Sequence, residues 1–541
     1  MSRSTVAQVR NFFKTEYGGS LAGDLSGGIT TAVVALPLAL AFAIASGVDA
    51  KYGLYTAIVT GVVAAIFGGS KVQISGPTGG MAAVLIAVTV KYGYEKVVLI
   101  ALIAGLFQIA AAFLRLGRFV KMLPFPLIAG FTMGIGLVIF GGQIDLALGL
   151  KIHHEHVEFL DRMIETTKMA VTGGINSSCL LVAMGTVVLM LGLTRIWARL
   201  PAALVALVIA SVLTWAFSLD VPCVKDIPQH LPFPRFPEFS WEMFRGLLRP
   251  AATIAALGAI ESLLAAVVAD SILGDGSRHN SNRELFGQGL ANIASSFFGG
   301  IPCTGAVART AVNIKSGGRT RLSGIIHSIF LLLVMFFLAP LANHIPIATL
   351  AGILMVTAVR MVEWRDVGWL MTAPRSDIGV MAITVLVTVF TDLVMAVEFG
   401  LAAAALIFIQ KMSEVAPQLV PTEESEQSLS SNHVRIFRIP GPLFWGDSHA
   451  ILEALRECDN VKVVILKMQL VTHIDASGIS TLREAKNSLK KRGIKLYLVS
   501  VPHRTLQVMA KMGFTSEIRD ENIFTSLENA KLAATVALAR A

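Results

Sequence analysis

The stretch Ser75-Gly76-Pro77-Thr78-Gly79-Gly80, followed by Met81-Ala82-Ala83-Val84-Leu85-Ile86-Ala87, interrupts an apolar segment and then continues it. Glycine and proline disfavour a regular helix, whereas the apolar residues that follow favour one. A helix therefore begins inside an apolar segment, where its first N–H groups and its dipole attract an anion. We predict Gly76, Thr78 and Gly79 as anion-binding residues.

A second break, Ile301-Pro302-Cys303-Thr304-Gly305-Ala306, leads into Val307-Ala308-Arg309-Thr310 at a constant offset of 226 residues from the first. Matching breaks in the two halves of a chain indicate a transporter built from inverted repeats, with its binding site between two facing half-helices. We therefore add Thr304, Gly305 and Ala306 to the predicted anion site. The alternative is a pair of glycine kinks that only permit close helix packing.

Composition places most of the chain in lipid. Of 541 residues, 54% are apolar and only 15% are charged, and the mean hydropathy is +0.68. Since a membrane span needs about 20 apolar residues, we predict fourteen transmembrane segments in two inverted repeats of seven. The predicted segments are 28–47, 53–67, 73–90, 97–113, 123–144, 178–192, 201–217, 251–269, 285–298, 301–314, 322–341, 348–359, 378–391 and 395–409.

The basic residues predict the orientation. They lie in alternate loops of this count, as the positive-inside rule requires of cytoplasmic loops. We therefore expect an inner-membrane protein with both termini in the cytoplasm, a cytoplasmic tail over residues 1–24 and a transport domain over residues 25–412. The net charge of +9 is explained by these loops, so we expect no nucleic-acid partner. The loop residues are Lys71, Arg115, Arg118, Lys121, Arg195, Arg199, Arg278, Arg283, Lys315, Arg319, Arg321, Arg360 and Arg365.

Arg309 and Glu261 are charged residues within predicted membrane segments. Arg309 lies one turn into the second half-helix, and Glu261 lies in the middle of the segment 251–269. Charges inside a membrane are costly and mark functional sites or ion pairs. We predict that Arg309 attracts the anion and that Glu261 couples its transport to H⁺ or Na⁺. The alternative is a structural pair in which Glu261 only neutralises Arg309.

After the membrane segments, the long apolar runs end and the sequence becomes polar, with only short apolar runs. Residues 413–432 are predicted to form a linker, and residues 433–541 a soluble α/β domain. Its predicted strands are 433–439, 461–468 and 495–501, with helices at 448–457, 477–492 and 504–512. Asp475 and Ser477 lie where a strand gives way to a helix, so either side chain could cap that helix, and Ser477 could accept a phosphate.

Other chemistries are disfavoured. The cluster His153-His154-Glu155-His156 has a metal-like composition but no partner at a fixed spacing, so we predict neither a metal nor a cofactor. The four cysteines are scattered. A Gly-Lys-Ser/Thr phosphate loop is lacking from the sequence, which argues against an ATP-driven pump, and we expect no enzyme activity.

The chain resembles the SulP family of sulfate permeases. The motifs that carry the resemblance are Leu36-Pro37-Leu38-Ala39, Tyr52-Gly53-Leu54-Tyr55, Ser75-Gly76-Pro77-Thr78-Gly79, Glu261-Ser262, Asn280-Ser281-Asn282-Arg283-Glu284-Leu285, Ala308-Arg309-Thr310 and Ser316-Gly317-Gly318-Arg319-Thr320. The C-terminal domain resembles a STAS domain, in which Asp475-Ala476-Ser477-Gly478 matches a loop that is phosphorylated on serine in bacterial anti-sigma-factor antagonists.

The resemblance implies a fold shared with nucleobase transporters, with core and gate domains, an elevator-like motion and a homodimer. Its implied substrates are sulfate, bicarbonate, chloride or C4-dicarboxylates, and we expect a cytoplasmic protein partner for the STAS domain. In sodium-coupled bicarbonate members of the family an Asp occupies the position of Glu261, whereas the dicarboxylate-type member has a Glu there. By this resemblance, Glu261 favours coupling to H⁺ over coupling to Na⁺. We therefore expect H⁺-coupled symport of a small anion. The alternatives are a Na⁺-coupled bicarbonate symporter, an uncoupled exchanger or channel, and a membrane sensor that signals through the STAS domain.

Overall fold

The structure is a computed structural model, and its chain divides into two compact units, Met1–Ala404 and Ala405–Ala541. It describes residues 16, 18, 20–118, 125–150, 159–197, 201–225, 227–238, 240–276, 278–362, 364–390, 399, 402, 406, 420–421, 433–439, 441, 443, 455 and 460–539. The histidine cluster at 153–156, the predicted linker 413–432 except Val420 and Pro421, and nearly all of the predicted segment 395–409 lie outside these residues.

The first unit is a bundle of helices with two very short strands. In chain order its elements are α1 (Leu21–Ala45), α2 (Ala50–Phe67), β1 (Ser75–Gly76), α3 (Gly79–Tyr92), α4 (Tyr94–Phe113), α5 (Phe125–Gly141), α6 (Ile144–Leu148), α7 (Phe159–Val171), α8 (Ser177–Ile196), α9 (Ala202–Ala216), α10 (Trp241–Leu273), α11 (Ser281–Phe297), β2 (Thr304–Gly305), α12 (Val307–Lys315), α13 (Arg321–Ala342), α14 (Ile347–Met361), α15 (Trp364–Leu370) and α16 (Arg375–Phe390).

The predicted helical membrane architecture is confirmed. Within the described residues, eight helices are long and apolar enough to cross a membrane, and α3 and α9 are shorter apolar helices. The count of fourteen segments stays a prediction. The first helix, α1, begins at Leu21, inside the predicted tail, and the Ser20 side chain caps it by accepting a hydrogen bond from the Gly23 N–H at 3.2 Å.

The two predicted broken segments are confirmed as short extended stretches that lead into helices. β1 pairs antiparallel with β2, with Ser75 opposite Gly305 and Gly76 opposite Thr304. This pairing brings the beginnings of α3 and α12 to one junction inside the bundle. The second helix begins at Val307, as predicted, whereas the first begins at Gly79, two residues before Met81, so the two helix starts are not at equivalent repeat positions.

Small residues allow the helices around this junction to pack closely. A Cβ at Gly105 on α4 would lie 2.5 Å from the carbonyl oxygen of Gly289 on α11, and a Cβ at Gly289 would lie 2.6 Å from that of Gly105. A Cβ at Gly28 on α1 would lie 2.6 Å from the carbonyl oxygen of Ser323 on α13. Glycine is needed where two backbones approach this closely.

The second unit contains a five-stranded sheet in the order β3-β4-β5-β6-β7, in which β3 pairs antiparallel and the other neighbours pair in parallel. The predicted α/β domain is confirmed, while β3 and β7 were not predicted. The predicted helix 448–457 lies almost entirely outside the described residues. The elements are β3 (Val420–Pro421), β4 (Val434–Arg438), β5 (Val463–Lys467), α17 (Ala476–Lys491), β6 (Lys495–Val499), α18 (His503–Lys511), α19 (Phe514–Ile518), β7 (Ile523–Phe524) and α20 (Leu527–Ala539).

Candidate functional site

The carboxylate of Glu261 on α10 lies at the junction of the two half-helices. Its Oε2 accepts hydrogen bonds from the hydroxyls of Thr78 and Thr304, at 2.8 Å each. The two hydroxyl oxygens are 3.2 Å apart. The sequence predicted that these threonines would bind an anion, and in the structure they bind the side-chain carboxylate of the chain itself.

The two threonines occupy equivalent repeat positions, but only Thr78 caps the helix that follows it. The Thr78 side chain caps α3 by accepting a hydrogen bond from the Met81 N–H at 3.3 Å. At α12 the capping residue is Ala306, whose methyl side chain cannot accept a hydrogen bond. Its backbone N–H donates to the Ile74 carbonyl at 2.9 Å. Thr304 therefore lies two residues before the cap, in β2. The first N–H groups of α12 have no capping side chain, as an anion site at a helix N-terminus requires.

Arg309 is buried beside the junction, with 2% of its surface exposed. Its Nη2 donates to the carbonyl of Pro77, the residue before Thr78. In the described part of the chain the Nη1 of Arg309 has no hydrogen-bond partner. Glu261 bonds to the two threonines, and the alternative in which it only neutralises the charge of Arg309 stays a prediction.

Glycines keep the junction open to these charged side chains. A Cβ at Gly80 would lie 1.8 Å from Glu261 Oε1, and a Cβ at Gly76 would lie 2.7 Å from Arg309 Nη1. A Cβ at Gly79 would meet Ile139 Cδ1 at 2.6 Å. Any larger residue at Gly76 or Gly80 would therefore displace a charged group of the candidate site.

Gly305 and Ala306, the other predicted residues of the second repeat, are both buried. The N–H of Gly305 donates to the Ser262 hydroxyl at 2.9 Å, so it is already occupied. Ser262 is next to Glu261 in sequence and ties α10 to β2. Among the predicted residues, the structure thus brings together Gly76, Thr78, Gly79, Thr304, Gly305, Ala306, Arg309 and Glu261.

A buried row of polar side chains on α11, which sequence reasoning missed, supports both strands of the junction. Glu284 accepts from the N–H groups of Gly69 and Ser70 at 2.7 and 2.9 Å. Gln288 donates to the Ser75 hydroxyl, and Asn292 accepts from the Cys303 N–H at 2.7 Å. The signal was available in the sequence, because these three residues recur every four positions in an otherwise apolar segment.

The predicted STAS residues are placed separately, in the second unit. Asp475 caps α17 by accepting a hydrogen bond from the Gly478 N–H at 2.7 Å. Ser477 lies in the first turn of the helix and is partly exposed. Capping therefore falls to Asp475, while phosphorylation of Ser477 stays a prediction. Within the described residues no group of three or more His, Cys, Asp or Glu side chains is arranged to hold a metal.

Comparisons with known proteins agree with the two-unit architecture. The sulfate permease family matches residues 21–384, and the STAS domain matches residues 427–530. The chain is 38% identical to the "Putative sulfate transporter YvdB" of Bacillus subtilis, over 88% of this chain and 91% of that protein. It is 34% identical to the bicarbonate transporter BicA of a Synechocystis species, over 90% of each chain.

Solved structures show the same fold. The transmembrane domain of a cyanobacterial bicarbonate transporter BicA matches with a TM-score of 0.62 at 37% identity, over 71% of this chain and 97% of that one. The inward-facing structure of the murine Solute Carrier 26 family member A9 anion transporter matches with a TM-score of 0.85 over 99% of this chain and 95% of that one. At 19% identity, the second likeness concerns the fold alone. The chain therefore belongs to the sulfate permease family, whose members are multi-pass membrane transporters of anions rather than enzymes, and it carries a STAS domain.

Proposed function

We propose that this chain is a secondary active transporter that carries sulfate or bicarbonate together with a proton held by Glu261. The observation that carries the proposal is the pair of hydrogen bonds from Thr78 and Thr304 to one carboxylate oxygen, at 2.8 Å each. These hydroxyls and the start of α12 are the donors that an incoming anion needs. Glu261 and the substrate therefore compete for the same groups.

Protonation of Glu261 would resolve this competition. Two like charges about 4 Å apart repel by about 4 kcal/mol at an effective dielectric constant of about 20, which corresponds to roughly a thousand-fold loss of affinity. A protonated Glu261 carries no charge and still keeps one acceptor oxygen. The anion then binds well only when the proton is bound, and this coupling is the thermodynamic basis of symport.

Arg309 would supply the positive charge that offsets the charge of the substrate. It is buried, and its Nη1 is without a hydrogen-bond partner among the described residues. Helix dipoles and one arginine recognise negative charge rather than a particular anion. The choice of sulfate or bicarbonate therefore rests on the relatives, and C4-dicarboxylates stay a candidate for the experiment below.

Sodium is the second candidate for the coupled ion. Glu261 Oε2 and the two threonine hydroxyl oxygens lie within 3.2 Å of one another, and oxygen atoms are the ligands that hard cations prefer. A Na⁺ ion bound there would neutralise Glu261 as a proton does. Such a transporter would be a Na⁺-coupled bicarbonate symporter, and an uncoupled exchanger or channel would need neither ion.

The remaining features of the proposal follow the family. We propose an elevator-like movement of the half-helices with their site, a homodimer in the inner membrane, cytoplasmic termini, and regulation through a cytoplasmic partner of the STAS domain. The basic residues that would face the cytoplasm support this orientation.

Reconstituted vesicles test the proposal. Uptake of labelled sulfate, bicarbonate, fumarate and succinate would be compared under an inward pH gradient, an inward Na⁺ gradient and no gradient. We expect the pH gradient to drive accumulation of sulfate or bicarbonate in the wild type but not in Glu261→Gln. The control Asp161→Asn changes an exposed carboxylate on α7 and should behave as the wild type. Uptake that responds only to Na⁺, or to neither gradient, would rule out proton symport.

A further inference from the structure

An open cavity at the end of α14 has no role in the proposed mechanism. Its volume is about 760 Å³, which lies within the range of about 300–1,000 Å³ that is typical of ligand pockets. All of its lining residues lie within the segment 359–369. Two valines line it, together with the polar and aromatic side chains of Arg360, Trp364, Arg365, Asp366 and Trp369.

The cavity lies where two apolar helices end. α14 ends at Met361, with Arg360 in its last turn, and α8 ends at Ile196. The Nη2 of Arg360 donates to the hydroxyl of Thr194, in the last turn of α8, at 2.9 Å. The ends of the two helices therefore meet beside the cavity, and Arg360 is held in its wall.

Exposed tryptophans lie at this end of the two helices. Trp364 is 57% exposed, Trp369 is 64% exposed, and Trp197, which follows α8, is 62% exposed. Tryptophan and arginine gather at the ends of membrane helices because they suit the boundary between lipid tails and water. We therefore place the cavity at the level of the lipid headgroups.

Two contacts fix the tryptophans that line the cavity. The Nε1 of Trp364 donates to the carbonyl of Val359 at 3.0 Å. The ring of Trp369 packs edge-on against Phe125 of α5, with the ring centroids 5.8 Å apart. These walls are thus formed before a ligand binds, and a preformed site loses less conformational freedom on binding.

An exposed apolar face of α8 leads to the same place. Its residues recur every three or four positions, so they share one side of the helix. Each is at least half exposed, and they are Leu181, Met184, Val188 and Leu191. Thr194, which contacts the wall of the cavity, continues this spacing. A lipid whose acyl chains cover this face would bring its headgroup to the cavity.

The charges of the lining favour a phosphodiester. Arg365 is exposed, and a guanidinium can donate two parallel hydrogen bonds to the oxygens of one phosphate. With Arg360 the lining has two positive charges, against the single negative charge of Asp366. This balance attracts a ligand with one negative charge, whereas Asp366 would repel the second charge of a sulfate or of a phosphate monoester.

We propose that the cavity binds the headgroup of an anionic phospholipid, with Arg365 contacting the phosphodiester, Trp364 and Trp369 enclosing it, and the acyl chains lying along the exposed face of α8. Basic cavities between membrane helices suit such headgroups. The orientation proposed above puts the lipid in the cytoplasmic leaflet. The site goes beyond the proposed function, because it depends neither on the transported anion nor on the coupled ion.

Native mass spectrometry of the full chain, stripped of lipid in a neutral detergent, tests the proposal by resolving bound lipids. We expect phosphatidylglycerol to bind about five-fold more tightly than phosphatidylcholine, whose headgroup has no net charge. Arg365→Gln should abolish this preference, and Arg365→Lys should keep part of it, because lysine keeps the charge but not the planar guanidinium. Trp369→Leu should weaken the binding of both lipids.

The control for a general attraction to basic surfaces is Arg278→Gln. Arg278 is an exposed arginine between α10 and α11, so this variant loses the same charge outside the cavity. It should keep the preference for phosphatidylglycerol. An equal loss of preference in Arg278→Gln and Arg365→Gln would overturn the proposal, as would equal binding of the two lipids by the wild type.

Thermal unfolding separates a lipid from a soluble phosphodiester. Without lipid, Arg365→Gln should unfold at the wild-type midpoint, because Arg365 is exposed. Phosphatidylglycerol should raise the midpoint of the wild type by about 2 °C or more and leave that of Arg365→Gln unchanged. Glycerophosphoglycerol, the same headgroup without acyl chains, should not raise the wild-type midpoint at the same concentration.

An equal rise with glycerophosphoglycerol would overturn the assignment to a lipid. No transported anion is present in these measurements. A failure of the wild type to take up sulfate or bicarbonate would therefore refute the proposed function and leave the result on lipid binding intact.

Discussion

The hydroxyl oxygens of Thr78 and Thr304 lie 3.2 Å apart although 226 residues separate them in the chain. Both bond to the same oxygen of Glu261. The two halves of the chain thus meet at a carboxylate that occupies the place predicted for the substrate.

Replacing either threonine by valine should weaken anion binding while keeping side-chain volume. A hydrogen bond to a charged group contributes about 1.5–3 kcal/mol, so we expect the KM for uptake to rise about ten-fold in Thr78→Val and in Thr304→Val. Only Thr78 caps a helix, so only Thr78→Val should also lower the thermal midpoint. Thr357→Val, which removes a hydroxyl bonded to its own helix at 2.7 Å, is the control. Wild-type KM values in both junction variants would contradict the prediction.

Gly80→Ala should impair transport without disturbing its helix. The new Cβ would lie 1.8 Å from Glu261 Oε1, which pushes the carboxylate away from the threonines. Because alanine favours a helix over glycine by about 0.5–1 kcal/mol, lost stability of α3 would not explain the defect. Gly185→Ala on α8, where a Cβ meets nothing within 4 Å, should transport as the wild type does. Uptake assays on the two variants provide the comparison, and equal rates would refute the predicted contact.

Arg309→Ala should lower the rate of anion uptake by about ten-fold or more, because the positive charge beside the junction is lost. Arg309→Lys keeps that charge but not the planar guanidinium, so we expect it to recover only part of the rate. The control is Arg360→Ala, an exposed arginine that donates to the Thr194 hydroxyl at 2.9 Å. Uptake kinetics in vesicles measure all three variants. A wild-type rate in Arg309→Ala would remove this residue from the site.

Glu16 should stabilise the chain at neutral pH and lose this effect in acid. It contacts Arg321, lies 3.6 Å from Lys71 Nζ and lies 3.7 Å from Arg283 Nη1. Burial acts to raise its pKa, but the hydrogen bond and the charges of the three cations outweigh burial, so the pKa is lowered. A carboxyl whose pKa is lower in the folded state stabilises that state above its unfolded pKa and loses this contribution as the pH falls through the folded value.

Glu16→Gln should therefore lower the unfolding midpoint at pH 7, and its difference from the wild type should shrink below about pH 4, where an ordinary glutamate becomes protonated. Glu95→Gln, an exposed residue at the start of α4, should show no such difference. Thermal unfolding across this pH range provides the measurement. A difference that does not depend on pH would refute the electrostatic explanation.

In the STAS domain, Asp475→Ala should loosen the first turn of α17, whereas Ser477→Ala should not. Loss of a capping side chain costs about 1 kcal/mol, which corresponds to about five-fold faster hydrogen exchange of amides that exchange by local opening. Hydrogen exchange of the full chain at residues 476–480 measures the effect. Equal protection in both variants would show that the bond to the Gly478 N–H does not stabilise the helix.

The sequence by itself determined the helical membrane architecture, the positions of the two breaks, the α/β domain and the intramembrane charges Glu261 and Arg309. These features depend on composition and on residues within one or two turns of each other, as in Ser75-Gly76-Pro77-Thr78-Gly79. Only the tertiary structure decided that Glu261 binds Thr78 and Thr304 rather than Arg309, and that α3 begins at Gly79, two residues before Met81. The physical reason is that the contacts of Glu261 join residues far apart in the chain, 183 positions for Thr78 and 43 positions for Thr304. Their geometry depends on how whole helices pack, which local sequence patterns do not encode.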